Sequence, residues 1–121
     1  RYDAGSEITI TAGATQAIIT AILAIVHPGD EVIVLDPCYD SYVPNIELAG
    51  GKAVRVPLTP GTFRPDFAKI SAAITPRTRA IIINSPLTWD RTRSSIETRR
   101  SLHGYAQRKF HPPLATRHTD I

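Results

Sequence analysis

The run Glu7–Val26, EITITAGATQAIITAILAIV, is the feature that most constrains how this chain can fold. It predicts a short β-branched strand at Ile8–Thr11, then a small-residue turn, then an apolar helix at Thr15–Val26. Because this helix is apolar nearly all round, we expect other elements to cover it on more than one side. A strand that leads directly into a covered helix is typical of an α/β fold.

The next part of the chain continues this alternation of strands and helices. The pattern predicts strands at Glu31–Leu35, Lys52–Leu58 and Arg79–Asn84, and helices at Tyr39–Ala49 and Arg64–Ile74. The first of these strands, EVIVL, is continuously apolar, which is typical of a strand buried in a parallel sheet. The second, KAVRVPL, alternates and contains a proline, which favours a sheet edge. The order of elements predicts an α/β fold with a mostly parallel sheet.

The turn at Gly13, Ala14 and Thr15 is suited to binding an anion. The first turn of a helix has free backbone N–H groups and the positive end of the helix dipole. Gly13 allows a ligand to approach the backbone closely, and Thr15 adds a hydroxyl group, so the natural ligand is a phosphate. A plain turn that is capped by the threonine would use the same residues.

The charge of the chain is concentrated at its C-terminal end. Residues 1–86 contain 7 Lys and Arg against 8 Asp and Glu, whereas residues 87–121 contain 7 against 3. Leu, Ile, Val and Phe make up only 6 of these last 35 residues. Low aliphatic content with net charge predicts a divergent, poorly ordered basic tail. Its few aromatic residues are scattered, so we do not expect a nucleic-acid partner.

Cysteine content and hydropathy indicate the compartment. Cys38 is the only cysteine, which excludes an intrachain disulfide and fits a reducing compartment. The apolar stretch Ala17–Val26 is shorter than the roughly 20 residues that span a bilayer. The N-terminus, RYDAGSE, does not resemble a signal peptide. We therefore expect a cytoplasmic protein with no membrane contact, and the spacing of its histidines predicts no metal site.

Three runs carry a family resemblance: Ile8–Ile18, His27–Gly51 and Arg79–Pro86. Residues 1–86 resemble the N-terminal part of the large domain of class I and II aminotransferases. These are pyridoxal-phosphate enzymes of fold type I, and the chain is most similar to their methionine and kynurenine subgroup. The resemblance implies a partial three-layer αβα sandwich, a homodimer, and transfer of an amino group from an α-amino acid to a 2-oxo acid.

The resemblance also assigns site residues. It places Gly13–Thr15 on the phosphate of pyridoxal 5'-phosphate and stacks Tyr39 on the pyridine ring. It places Asn84 at the first asparagine of an N-[ST]-P-x-N-P stretch, whose second asparagine is replaced here by Thr88. Tyr39 could instead cover the following helix, and Asn84 could be a hydrogen-bonding residue at the end of a strand.

The catalytic lysine of the family has no counterpart with matching context here. The three lysines are Lys52, Lys69 and Lys109, and none lies in the sequence context of the lysine that forms the Schiff base. We therefore name no catalytic residue and expect the chain alone to be inactive. The abrupt change at Leu87 predicts a frameshift or truncation near Pro86. The alternative is a small module that binds a phosphate ligand without catalysis.

Overall fold

The computed structural model describes residues 2–84. The elements are α1 (Ala14–Ile25), β1 (Glu31–Asp36), α2 (Tyr42–Leu48), β2 (Lys52–Pro57), α3 (Phe67–Ala73) and β3 (Thr78–Ile82). The three strands form a parallel sheet in the order β2-β1-β3, so β2 lies at an edge as predicted. The predicted α/β class is confirmed. The prediction of a poorly ordered basic tail at 87–121 lies outside the described residues.

The central strand β1 explains the three-layer arrangement. Side chains of a strand alternate between its two faces. Val32 and Val34 join a buried cluster with α1 and α2, whereas Ile33 joins a second cluster with Val56 of β2 and Ile70 of α3. Val32, Ile33 and Val34 are at most 1% exposed, because helices cover both faces of the sheet. The predicted αβα sandwich is therefore confirmed over this part of the chain.

Two helices begin later than the sequence predicts. The helix α3 begins at Phe67, because the Asp66 carboxylate accepts hydrogen bonds from the N–H groups of Ala68 and Lys69. Pro65 also disfavours a helical conformation at the residue before it. The helix α2 begins at Tyr42 rather than Tyr39, since residues 37–41 form the connection from β1.

The end of α2 is set by two glycines, as the sequence predicts. The N–H of Gly50 donates to the carbonyl of Glu47, and the N–H of Gly51 donates to the carbonyl of Ile46 at 3.0 Å. Together with the positive φ of Gly50, +80°, these bonds form a Schellman motif. A Cβ at Gly51 would lie 2.6 Å from a methyl carbon of Val26, so the glycine also permits close packing against the end of α1.

The predicted strand at Ile8–Thr11 is wrong. The structure has no strand there, and Ile8 and Ile10 are 53% and 92% exposed. A β-branched run becomes a strand when a neighbouring strand pairs with it, and no described residue does so. The expected cover on α1 is also incomplete: Ile22 is buried, but Leu23 and Ile25 are exposed within the described part of the chain.

The amino ends of the strands meet at a buried carboxylate. Glu31, at the start of β1, is 3% exposed. It accepts hydrogen bonds from the Thr75 hydroxyl at 2.6 Å and from the Arg77 guanidinium at 3.1 Å, and the Lys52 ammonium lies 3.8 Å away. Hydrogen bonding by Thr75, helped by the two nearby cations and opposed by burial, lowers the pKa of Glu31. This cluster joins all three strands at the edge opposite the candidate site.

Candidate functional site

Gly13 shapes the turn that leads into α1. It is the N-cap residue, with φ 97° and ψ 173°, a conformation that is essentially restricted to glycine. A Cβ built at this position would have no other atom within 4 Å. The space beside Gly13 is therefore open, and a ligand can approach the backbone here.

The N-terminus of α1 has free donors for a ligand. No described side chain caps the helix, so the expected alternative of a turn capped by Thr15 is not what forms. The side-chain carbonyl of Gln16 accepts a hydrogen bond from the N–H of Ala12 at 2.5 Å, and Ala12 lies before the first residue of the helix. The N–H groups of Ala14, Thr15 and Gln16 belong to the first helical turn and have no intrahelical partner. Their dipoles favour an anion at this position.

Thr15 and Tyr39 lie together although 24 residues separate them in sequence. Their hydroxyl oxygens are 3.4 Å apart and share a hydrogen bond. Hydrogen bonding with Thr15, and then with Ser41, lowers the pKa of the Tyr39 phenol. Tyr39 lies in the connection after β1 and remains 43% exposed. The structure therefore places an accessible aromatic ring beside the N-terminus of α1.

Asn84 lies two residues past the end of β3 and is exposed. Because Ile82 of β3 pairs with Val34 of β1 in a parallel ladder, the two strands end at the same edge of the sheet. Tyr39 lies at this same edge, in the connection that follows β1. Among residues 2–84, however, no hydrogen bond joins Asn84 to Thr15 or Tyr39. The structure thus brings Thr15 and Tyr39 together and leaves Asn84 on the same edge, without a hydrogen bond to either of them within residues 2–84.

Arg55 was missed by sequence reasoning. Its guanidinium donates two hydrogen bonds to Asp36, at 2.6 Å from Nε and 3.1 Å from Nη2, at the carboxyl edge of the sheet. Asp36 is the last residue of β1, and its partner lies 19 residues away on β2, so no local pattern could reveal the pair. Burial, followed by interaction with Asp36, raises the pKa of the neighbouring Cys38 thiol.

His27, two residues past the end of α1, is paired with Asp30. Its backbone N–H donates to the Asp30 carboxylate at 2.9 Å, and its ring nitrogen lies 3.6 Å from the same group. The carbonyl of Ile25, at the end of α1, instead accepts a hydrogen bond from Arg79 of β3 at 3.0 Å. A strand residue therefore fixes the end of the helix whose beginning forms the site.

The arrangement fits the phosphate and the ring of a phosphorylated aromatic ligand. The open space at Gly13 admits an anion, the amides at the start of α1 and the Thr15 hydroxyl supply donors, and the Tyr39 ring lies alongside. Neither lysine of the described part of the chain forms a hydrogen bond or an ion pair with Gly13, Thr15 or Tyr39. The Lys52 ammonium lies 3.8 Å from Glu31 at the opposite edge, and that of Lys69 lies 3.6 Å from Asp66 on α3.

Comparison with known proteins identifies the family. Residues 1–88 match the family model for aminotransferase class I and II. The chain is 52% identical over 84 residues to the methionine aminotransferase of Escherichia coli strain K12, an alignment that covers 69% of this chain and 22% of that protein. None of the helices in residues 2–84 has the length and apolar character needed to cross a membrane.

Solved structures agree with the sequence match. A methionine aminotransferase structure from Escherichia coli superposes with a TM-score of 0.69 at 50% identity, covering 72% of this chain and 23% of that one. N-succinyldiaminopimelate aminotransferase from Mycobacterium tuberculosis superposes with a TM-score of 0.68 at 48% identity, covering 73% and 23%. The chain thus spans less than a quarter of the length of these relatives. It belongs to the class I and II aminotransferases.

Proposed function

We propose that residues 2–84 form the part of an aminotransferase that holds the phosphate and one ring face of pyridoxal 5'-phosphate. The observation that carries this proposal is the hydrogen bond between Thr15 and Tyr39 at an uncapped helix N-terminus. The amides of the first turn and the Thr15 hydroxyl would bind the phosphate, and the Tyr39 ring would lie against the pyridine. Asn84, at the same sheet edge, remains a predicted contact of the ring.

The residues of this chain would supply binding and orientation. The bound cofactor provides an electron sink for chemistry at the amino group of a substrate. The helix dipole and the amides at Ala14 and Thr15 favour the phosphate dianion and fix one end of the ligand. Tyr39 would exclude water from one face of the ring and set its tilt. None of these contacts requires a proton transfer by the residues named.

The activity of the whole protein is proposed from its similarity to characterised aminotransferases. We propose transfer of an amino group from an α-amino acid to a 2-oxo acid, with methionine or a similar amino acid as the donor, because a methionine aminotransferase is among the relatives. A homodimer and a cytoplasmic location are proposed on the same basis. We further propose that residues 1–86 are the N-terminal part of the large domain and that residues 87–121 are a divergent basic tail.

A non-catalytic role is the second candidate. Both lysines of the described residues, Lys52 and Lys69, are paired with carboxylates that are not part of the proposed site, those of Glu31 and Asp66. A site without a lysine can bind a phosphorylated ligand but cannot attach the cofactor covalently. This observation favours a chain that binds phosphate ligands and does not transaminate by itself.

Substitution of Thr15 by valine tests the proposed site. Thr15→Val preserves the shape of the side chain and removes its hydroxyl group. A hydrogen bond to a charged group is worth about 1.5–3 kcal/mol, so we expect about ten- to a hundredfold weaker binding of pyridoxamine 5'-phosphate in equilibrium dialysis. Thr62→Val, which removes an exposed hydroxyl that donates to the Thr59 carbonyl rather than to Thr15 or Tyr39, should leave the Kd unchanged.

The ligand series separates the two candidate functions. Pyridoxamine without its phosphate should bind far more weakly than pyridoxamine 5'-phosphate, since the helix N-terminus recognises the anion. Equal affinity for both ligands would contradict the proposed site. A simple sugar phosphate that binds as tightly as pyridoxamine 5'-phosphate would favour the general phosphate-binding module over the cofactor site.

A further inference from the structure

Tyr39 is poorly held by its own surroundings. It lies in the irregular connection between β1 and α2, and its ring is 43% exposed. Its hydroxyl makes a long hydrogen bond, 3.4 Å, with Thr15. Immobilising an exposed, rotatable side chain when a ligand binds reduces the affinity for that ligand. A stacking residue in this position therefore needs support from a neighbour that is already fixed.

Tyr42 has the properties of such a neighbour. It is the first residue of α2, and its backbone N–H donates to the carbonyl of Tyr39 at 3.1 Å. Its side chain is 8% exposed and belongs to the buried cluster that contains Ile22 of α1 and Val34 of β1. Its ring meets the ring of Tyr39 edge to face, with centroids 5.7 Å apart and planes inclined by 78°.

Two contacts of the Tyr39 side chain lead back to the same helix. Its hydroxyl bonds to Thr15 in the first turn of α1, and its ring contacts Tyr42, which is packed in a cluster with Ile22 of α1. We propose that Tyr42 is a positioning residue that holds the Tyr39 ring at a fixed distance and tilt from the phosphate-binding end of α1. This inference rests on the proposed function, because it assigns Tyr42 a role in binding the ring of the same ligand.

Different parts of the proposed site would bind the ring and the phosphate of the ligand, so the contribution of Tyr42 to ring binding can be tested separately. Pyridoxamine 5'-phosphate would use the Tyr39 ring, whereas inorganic phosphate would use only the N-terminus of α1. An aromatic edge-to-face pair corresponds to about two- to tenfold in affinity. We expect Tyr42→Leu to weaken binding of pyridoxamine 5'-phosphate by about this factor and to leave the Kd for inorganic phosphate unchanged. Tyr42→Phe, which retains the ring, should bind both ligands like the wild type.

A core substitution controls for loss of stability. Ile46→Val removes one methylene from the same buried cluster, on the same helix, while leaving both tyrosine rings in place. It should leave the ratio of the two dissociation constants unchanged. In the ligand-free chain, NMR should show a contact between the Tyr39 ring and the Thr15 methyl group in the wild type and in Tyr42→Phe. That contact should be lost in Tyr42→Leu.

The outcomes separate this inference from the proposed function. If wild-type chain binds neither inorganic phosphate nor pyridoxamine 5'-phosphate, the proposed function fails and the inference fails with it. If the wild type binds both and Tyr42→Leu binds both equally well, only the positioning role is overturned. An equal loss of affinity for both ligands in Tyr42→Leu, or a Tyr39–Thr15 contact that survives in that variant, would likewise show that Tyr42 is merely structural.

Discussion

At the scale of single residues, Gly13 shows how a missing side chain leaves room for the proposed ligand. Its backbone, at φ 97° and ψ 173°, turns the chain into α1, and the position of its absent Cβ is open space. A Cβ atom at this position would strain the backbone and would also occupy the space through which the proposed anion approaches. The backbone conformation and the proposed binding therefore favour glycine for separate reasons.

Substituting Gly13 by alanine should affect stability and binding, and Gly29 provides a matched control. Gly29 also has a positive φ, 90°, and open space at its Cβ position, but it lies in the loop after α1. Each alanine should reduce the free energy of unfolding by about 1–3 kcal/mol through backbone strain, measured in urea. Only Gly13→Ala should weaken phosphate binding, by about tenfold. Equal phosphate affinities in the two variants would argue against an anion at this turn.

At the scale of secondary-structure elements, the two edges of the sheet serve different purposes. At the amino edge, Glu31 joins β1 to Lys52 of β2 and to Thr75 and Arg77 just before β3. At the carboxyl edge, the connection after β1 carries Tyr39, which reaches the start of α1. Ligands of open α/β sheets bind beyond the carboxyl ends of the strands. The ionic cluster can therefore stabilise the strands without occupying the site.

The Glu31 cluster should make the fold sensitive to acid. Hydrogen bonding by Thr75 and the nearby cations hold the pKa of Glu31 below its value in the unfolded chain, so its stabilising contribution is present above about pH 4.5. That contribution is lost as the pH falls through the folded-state pKa. In urea melts, Glu31→Gln should be less stable than the wild type at pH 7, and the difference should shrink in acid. Thr62→Val, which removes an exposed hydroxyl and no carboxylate, should change the stability by the same amount at both pH values.

At the scale of the whole molecule, the described residues leave apolar surface and backbone groups uncovered. Leu23 and Ile25 of α1 are 51% and 42% exposed, and β3 pairs only with β1 within residues 2–84. Burial is worth about 25 cal/mol per Å² of apolar surface, so a few hundred Å² corresponds to several kcal/mol. This is comparable to the stability of a domain, about 5–15 kcal/mol. Such surfaces favour association with other chains.

The isolated 121-residue chain should accordingly self-associate as its concentration rises, rather than remain a compact monomer. Sedimentation velocity should show mass that increases with concentration. Leu23→Gln should reduce this association, whereas Thr20→Gln, which exchanges one exposed polar side chain of α1 for another, should not. A wild type that stays a monodisperse monomer at every concentration would contradict the prediction and would support the small phosphate-binding module.

How far the sequence alone predicts this protein depends on the range of the interactions. The apolar run of β1, the helix α1, the glycines after α2 and the small-residue turn at Gly13 were all predictable, because they depend on residues within one or two turns of each other. The same local patterns, with the family resemblance, predicted the parallel α/β sandwich. The bounds of α2 and α3 were less accurate, because the connection after β1 and the cap at Asp66 override the hydrophobic spacing.

Tertiary structure decided the contacts between residues that are far apart in sequence, which local patterns cannot predict. The strand order β2-β1-β3, the Asp36–Arg55 pair and the contact of Thr15 with Tyr39 all join residues that are distant in sequence. The strand predicted at Ile8–Thr11 failed for the same reason, since a strand exists only when another strand supplies its hydrogen bonds. The sequence thus determined which residues could form a phosphate site. Packing of α1 and α2 on one face of the sheet decided that Thr15 and Tyr39 would meet there, because only a buried interface fixes side chains 24 residues apart.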